Sequence, residues 1–395
     1  MIDPKANFRL GFFSQFNILP TVHSCIIIPV KDEEEYIQRT LLSFVNQIDQ
    51  YGEAIDSNQF EILVLANNCS DNSTDIIKTF QRTYPSLNIY LQEVTFSGKQ
   101  ANIGYVRKAL MECAYNRLSN NGGGIIMTTD GDTSVAPDWI CQTIAEINSG
   151  ADAVGGRILF YQDEVECLDQ STLSHFLKDE EYQLLIAELE GKIIGFDFDP
   201  VPRHHQHFNG SFAITTDCYA RSGGIPQVEY LEDCAFFEKL QTIDAKVRHS
   251  NKVKVYTSAR FAGRTQIGLS HQLGVWKDLG QQLEDYYVES CASVTNRFEQ
   301  KKHLLNLWKL KNTVNRRDFF RMLKIAIPEI NFENDVYPAF VVARYFGEWH
   351  AKMENDMRVS RQALFPPVTI ETAIKDLKSK IKEFSDHDFC QTSIL

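Results

Sequence analysis

Apolar residues come in short unbroken runs, each followed by apolar positions at helical spacing, and this alternation repeats through the first third of the chain. Positions 24–30 (SCIIIPV) form a β-branched run, and Ile37, Leu41, Leu42 and Val45 follow at helical intervals. That reads as strand, loop, helix. Positions 60–66 (FEILVLA) repeat the scheme, with Ile76, Ile77 and Phe80 on the next helix. A third strand is expected at 88–94, a helix through Ile103, Val106 and Leu110, and a fourth strand at 124–129 (GIIMTT). Nearly continuous apolar strands alternating with amphipathic helices predict an α/β fold. Its sheet should be mostly parallel, with helices on both faces.

Past residue 150 the pattern becomes mixed. Strand-like pieces stand at 153–160, 208–214 and 253–257, separated by an acidic helical stretch near 165–190 and a Pro/His-rich loop at 200–207. From about residue 270 the chain reads as helical. The expected organisation is an N-terminal arm over 1–20, a catalytic α/β domain over 21–265 and a helical region over 266–395. The arm carries Phe8, Phe12, Phe13 and Phe16 but lacks a continuous apolar core and a small-residue cleavage site. It therefore reads as a segment packed on the domain and not as a signal peptide.

Composition narrows the function classes. A net charge of -12 argues against a nucleic-acid partner, because phosphate backbones are held by cationic surfaces. No apolar run reaches the ~18 residues of a membrane span. The nine cysteines are scattered and form no C-x-x-C pair, which suits a reducing, cytoplasmic compartment and gives no reason to expect zinc. The basic stretch from Arg297 to Lys324 reads either as a solvated helical face or as a peripheral contact with an anionic membrane.

Candidate chemistry gathers after the strands, where parallel sheets bind ligands. Asp130 and Asp132 end the fourth strand, and positions i and i+2 of an extended chain point the same way. Gly131 between them permits close approach of a ligand. Two convergent carboxylates suit Mg²⁺ or Mn²⁺, although an acidic turn alone would look the same. Glu232 and Asp233 precede an apolar helical stretch through Phe236, Phe237 and Leu240. By themselves they read as acids favoured at a helix N-terminus.

Six segments in order carry a more specific signal: CIIIPVKDEEEYIQRTLLSFVNQ, EILVLANNCSDNST, SGKQANIG, IIMTTDGDTSVAPDWI, GSFAITTDCYARSGGIP and LEDCAFFEKL. Together, over residues 22–262, they resemble glycosyltransferase family 2, which has the GT-A fold. The resemblance implies that Asp130 and Asp132 are the D-x-D pair holding a divalent cation on the diphosphate of a UDP- or GDP-sugar. It implies a nucleoside pocket lined by Pro29, Asp32, Glu33, Asn67, Gly98, Lys99 and Asp130. It also implies a catalytic base at Asp233, with Glu232 as the second choice. Asn67 departs from the Asp that many relatives carry, which leaves uracil open as the base. Arg157, Gly210, Arg260 and Arg264 are candidates for acceptor or diphosphate contacts, and His271 for a third metal ligand.

The expected reaction is inverting, from the single base at Glu232–Asp233, and non-processive, since the Q-x-x-R-W motif of polymerising members is absent. The acceptor is a small molecule, a glycan or a lipid-linked hydroxyl. Two alternatives share this architecture: a retaining transferase acting on a small acidic acceptor such as a phosphoglycerate, and a sugar-nucleotide nucleotidyltransferase. The second should begin with a Gly-rich loop where this chain has Pro29-Val30-Lys31-Asp32-Glu33. His204, His205 and His207 read as an acceptor loop more readily than as a zinc site, and Gly122, Gly123 and Gly124 read as a turn.

Overall fold

The computed structural model describes residues 11–263, 267–282, 284–329 and 336–392, with side chains as far as Phe384. Two compact units interleave along the chain. One comprises residues 1–168, 206–238 and 246–274; the other comprises 169–205, 239–245 and 275–395.

The first unit is built on eight strands: β1 (Ser24–Val30), β2 (Phe60–Asn67), β3 (Ile89–Val94), β4 (Ile125–Thr129), β5 (Thr133–Val135), β6 (Ala153–Phe160), β7 (Ser211–Thr215) and β8 (Val247–Thr257). Their order across the sheet is β3-β2-β1-β4-β7-β6-β8-β5. Parallel pairing joins β3, β2, β1 and β4, and again β6 and β8, whereas β7 and β5 run against their neighbours. The sheet is thus mostly parallel.

Alternate residues of β1 and β2 serve opposite faces, as a pleated strand requires. Ile26, Ile28, Val30, Ile62 and Val64 join one core with Ile37 and Leu41 of α1 (Ile37–Leu42), Ile77 and Phe80 of α2 (Ser73–Thr83), and Trp139 and Ile140 of α4 (Trp139–Asn148). Cys25, Ile27, Leu63 and Leu65 are equally buried but lie outside that core. The helix α3 (Ile103–Ser119) packs on β1 and β2. Burying each such aliphatic side chain stabilises the unit by about 1.5–3 kcal/mol. The arm continues this packing, because Phe13 is fully buried and Phe16 stacks on Tyr90 at 4.6 Å.

One connection shapes the sheet. β4 and β5 are four neighbours apart, about 19 Å on a flat sheet. Yet only Asp130, Gly131 and Asp132 separate Thr129 from Thr133, and four Cα steps reach about 15 Å at most. The sheet must therefore curl until its far edge returns to β4. The β6–β8 pairing slips between Gly156 and Arg157, from Ser250 to Lys254 on β8, and such a bulge bends and twists a strand. Past that bulge β8 carries β5, with Thr133 opposite Thr257.

The second unit is helical. α5 (Gln170–Ile194) starts at Asp169, whose carboxylate accepts from the Ser171 and Thr172 amides, and ends at the left-handed Gly195. Its Tyr182, Leu189 and Ile193 pack with Val294 and Phe298 of α9 (Cys291–Lys309) and with Ile370, Ala373 and Leu377 of α13 (Ile370–Thr392). A second core joins α9 to α10 (Arg316–Ala326), α11 (Tyr337–Val342) and α12 (Phe346–Leu364) through Leu304, Phe319, Phe340 and Trp349. A short ribbon pairs Tyr287–Val288 with Val368–Thr369. Among the described residues, no helix is long and apolar enough to cross a membrane. Further helices are α6 (Thr216–Ser222), α7 (Glu232–Thr242) and α8 (Leu269–Gln282).

Candidate functional site

The carboxyl ends of the parallel strands converge on one edge of the first unit. Asp130 and Asp132 follow β4, and Gly210, just before the antiparallel β7, lies at the same edge because Thr129 pairs with Ser211. Both glycines here are there for space. A Cβ on Gly131 would come within 3.1 Å of Glu33 Cγ, and one on Gly210 within 3.2 Å of Asp130 Oδ2.

Each carboxylate of the pair has an arginine. Arg107, from α3, donates through Nη2 to Asp130 Oδ1 at 2.5 Å and through Nη1 to Thr128 Oγ1 at 2.5 Å. Arg260, beyond β8, donates to both oxygens of Glu33 at 2.6 Å, and its Nη2 is also 2.9 Å from Asp132 Oδ2. The Asp132 carboxylate also accepts from Thr133 and Thr257 hydroxyls at 3.2 and 3.4 Å. Burial, with Asp130 and Glu33 close by, pushes the Asp132 carboxyl up to about 7 against the pull of Arg260. Burial works against the charge on Arg260, but Glu33 and Asp132 outweigh it and the guanidinium ends above its ordinary value.

Glu232 and Asp233 open α7. Leu231, just before them, is held at a φ of 54°, a left-handed conformation costly for a branched side chain. The Glu232 carboxylate is 3.6 Å from Arg107 Nε and accepts from Asn209 Nδ2 at 3.4 Å. Asp233 Oδ1 accepts from the Cys234 amide at 2.8 Å, which agrees with the helix-terminus reading of that acid. Burial raises both carboxyl groups, and Arg107 partly offsets the rise in each.

A second acidic group lies beside β1 and β2. Asp32, in a left-handed backbone conformation with a φ of 53°, accepts from the Ser70 amide at 2.6 Å and the Ser70 hydroxyl at 3.1 Å. Asp71 accepts from the Glu34 amide, the Ser73 amide and the Ser73 hydroxyl. Asp32, Cys69 and Asp71 bring one ligating atom each within 4.8 Å of the others. Among the described residues this is the one such group of three or more, so His271, exposed on α8, does not converge with Asp130 and Asp132.

The remaining candidates spread along the edge. Pro29 lies in β1 and Asn67, buried, ends β2. Glu33 is buried with its carboxylate on Arg260, and its amide donates to Ser73 Oγ at 2.7 Å. Gly98 and Lys99 form a short 3-10 turn before α3, with Gly98 at a φ of 55°. Arg157 is buried at the β6 bulge, within the strand and not at its end. Arg264 lies outside the described residues. His207 stacks on Phe237 at 3.8 Å, and the histidines form no cluster of three ligands among the described residues.

Sequence reasoning missed Arg107, Asn209, Thr257 and the aromatic pair Tyr36 and Tyr161, which stack beside Arg260 and Arg39. A signal for Arg107 was present. It sits four residues after Ile103 and three before Leu110, a charge inside the apolar stripe of a helix.

A family described as glycosyl transferase family 2 matches residues 25–201. The curated glycosyltransferase AglE of Haloferax volcanii is 27% identical over 137 residues, 34% of this chain and 39% of that protein. The chain thus spans about two fifths of that relative's length. Among solved structures, S. aureus TarS in complex with UDP-GlcNAc is 14% identical with a TM-score of 0.41, covering 87% of this chain and 91% of that one. The mannosyltransferase PcManGT of Pyrobaculum calidifontis, in complex with GDP-Man and Mn²⁺, is 14% identical with a TM-score of 0.42, covering 85% and 88%. The family match spans the strand ends at Val30, Asn67 and Thr129 and the Asp130–Gly131–Asp132 turn, so over residues 25–201 this chain is similar to glycosyltransferase family 2, a family of transferases.

Proposed function

We propose that the chain transfers a sugar from a nucleoside-diphosphate donor, a UDP- or GDP-sugar, to a hydroxyl acceptor at the Asp130–Asp132 edge. The observation that carries this reading is the meeting of Asp130, Asp132 and Glu232–Asp233, from distant parts of the chain, around two arginines. The transfer is a single, inverting addition that uses Mg²⁺ or Mn²⁺. The acceptor is a small molecule, a glycan or a lipid-linked group, and the expected location is cytoplasmic or peripheral to a membrane.

The donor set suits such an ion. It consists of hard carboxylate oxygens, the chemistry that Mg²⁺ and Mn²⁺ prefer. Asp130 Oδ2 faces Gly210, on the side away from the oxygen that Arg107 holds. Bound by Asp130 and Asp132, the cation would supply Lewis acidity for the departing diphosphate.

The chain's own groups do the rest. Arg260 bridges Glu33 and Asp132 and is a cation placed to meet a leaving diphosphate. Asp233 takes the proton of the acceptor hydroxyl as that oxygen bonds to the anomeric carbon and the bond to the diphosphate breaks. Its burial makes it a stronger base than an exposed aspartate. Glu232 faces Arg107, which leaves Asp233 the better placed of the two. Pro29, Asp32, Asn67, Gly98 and Lys99 line the nucleoside side, and Arg157 and Gly210 the acceptor side.

Calorimetry with a panel of nucleoside diphosphates, with and without Mn²⁺, tests this on wild type and Asp132→Ala. Metal-dependent binding of one nucleotide that is lost in the variant is expected. Absence of metal-dependent binding to every nucleotide would refute the donor site.

A further inference from the structure

Arg107 is 3% exposed, and a buried guanidinium persists only where its charge and its donors are matched. Its partners form a circuit that the Glu232 ion pair closes, since Nε itself makes no hydrogen bond. Nη1 donates to Thr128 Oγ1 at 2.5 Å, and that hydroxyl donates to the Asn209 carbonyl at 3.1 Å. The Asn209 side chain donates to Glu232 at 3.4 Å, and the same Glu232 oxygen is 3.6 Å from Arg107 Nε. Nη2 branches off to Asp130 Oδ1. One side chain on α3 thereby joins the end of β4, the entry to β7 and the first residue of α7.

We infer that Arg107 is a positioning residue that fixes the distance between the donor carboxylate Asp130 and the acid pair Glu232–Asp233, and that Glu232 serves as its anchor and not as the base. This rests on the donor and acceptor roles proposed above. A neutral side chain at 107 frees Asp130 to rotate and leaves Glu232 buried beside Asn209 alone. A cation without the planar fork, as in lysine, keeps the charge but not every contact. The donor side and the acid pair then lose their common reference, although neither touches the other directly.

The test is a double-mutant cycle on the full chain, read by calorimetry with Mn²⁺ and UDP or GDP as probes, with circular dichroism to show that each variant is folded. Arg107→Met should weaken nucleotide binding by about 10-fold, within the range of coupling inside one hydrogen-bonded network. Arg107→Lys should restore it to within about 3-fold of wild type. Glu232→Gln, at a position outside the proposed nucleotide pocket, should still weaken binding by about 3-fold. The double variant Arg107→Met/Glu232→Gln should be no weaker than Arg107→Met alone. A merely structural arginine would lower thermal stability without this non-additivity.

Folded Arg107→Met that binds like wild type, or effects that simply add, would overturn the inference. Should Arg107→Met fail to fold, Arg107→Lys crossed with Glu232→Gln carries the same cycle, and additivity there is equally fatal. Wild type that binds no nucleotide with Mn²⁺ overturns the proposed function and this inference together. Wild type that binds, with uncoupled variants, overturns this inference alone.

Discussion

Two acidic loops stand at the same edge of the sheet and are held in opposite ways. Asp32 and Asp71 accept from neutral donors: the amides of Ser70, Glu34 and Ser73, and the hydroxyls of Ser70 and Ser73. Around Asp130 and Asp132 the close partners are the guanidinium groups of Arg107 and Arg260. The first arrangement uses carboxylates as acceptors to hold a turn, much as an N-cap does. The second concentrates charge in a partly dry pocket, where a further cation finds anionic oxygens and removes repulsion. Proximity of acids favours the first loop as a cation site, since Asp32, Cys69 and Asp71 converge. The nature of their partners favours the second. Under the proposed function, closeness of ligating atoms is a poorer guide to the binding site than what already neutralises them.

The largest effect that bears on this contrast is expected at Asp233. Asp233→Asn should lower metal-dependent transfer by about 1000-fold, within the usual contribution of a general base, while nucleotide affinity stays within about 3-fold. Next comes Asp132→Ala, which should weaken Mn²⁺-dependent nucleotide binding by at least ~100-fold, whereas Asp71→Ala should change it less than about 3-fold. Calorimetry on both variants would break the comparison if the two losses were alike. Asp71→Ala should instead cost about 1–3 kcal/mol of stability through its lost hydrogen bonds, read by denaturant unfolding.

The fourth expectation concerns pH. In metal-free protein Asp132 holds its proton up to about 7, whereas the unfolded chain releases it near 3.8. The folded state therefore binds more protons between those values, and stability falls as pH rises from about 4 to about 7. Melting temperatures in EDTA should show this decline, and Asp132→Asn should flatten it. Smallest is Cys69→Ser, whose thiol donates to the Val30 carbonyl at 3.5 Å. It should shift stability by less than about 0.5 kcal/mol and leave Mn²⁺ binding untouched.

The sequence made β1, β2 and β4 legible because strands covered on both faces must be continuously apolar. β3 was visible too, although its residues are half-buried at the edge. The strand β8 was seen only from Val253, since Val247 is followed by five polar residues, Arg248 to Lys252, and this part pairs on the far side of a bulge. β5 was invisible. Thr133, Ser134 and Val135 become a strand only because β8 arrives to pair with them. The carboxylates at 130, 132, 232 and 233 could be read from local pattern, but which arginine pairs with which of them could not. Arg260 meets Glu33 across 227 residues, and no spacing rule reaches that far.

The turn between β4 and β5 is also a tether of fixed length. Its three residues span a gap that only a curled sheet can close, so slack in the tether and curvature of the sheet are a single quantity. An inserted residue would let β5 drift off β8, and a deleted one would drag Thr133 away from Thr257. The interval between the two aspartates is therefore dictated twice, once by what we propose they hold and once by how far the chain must reach.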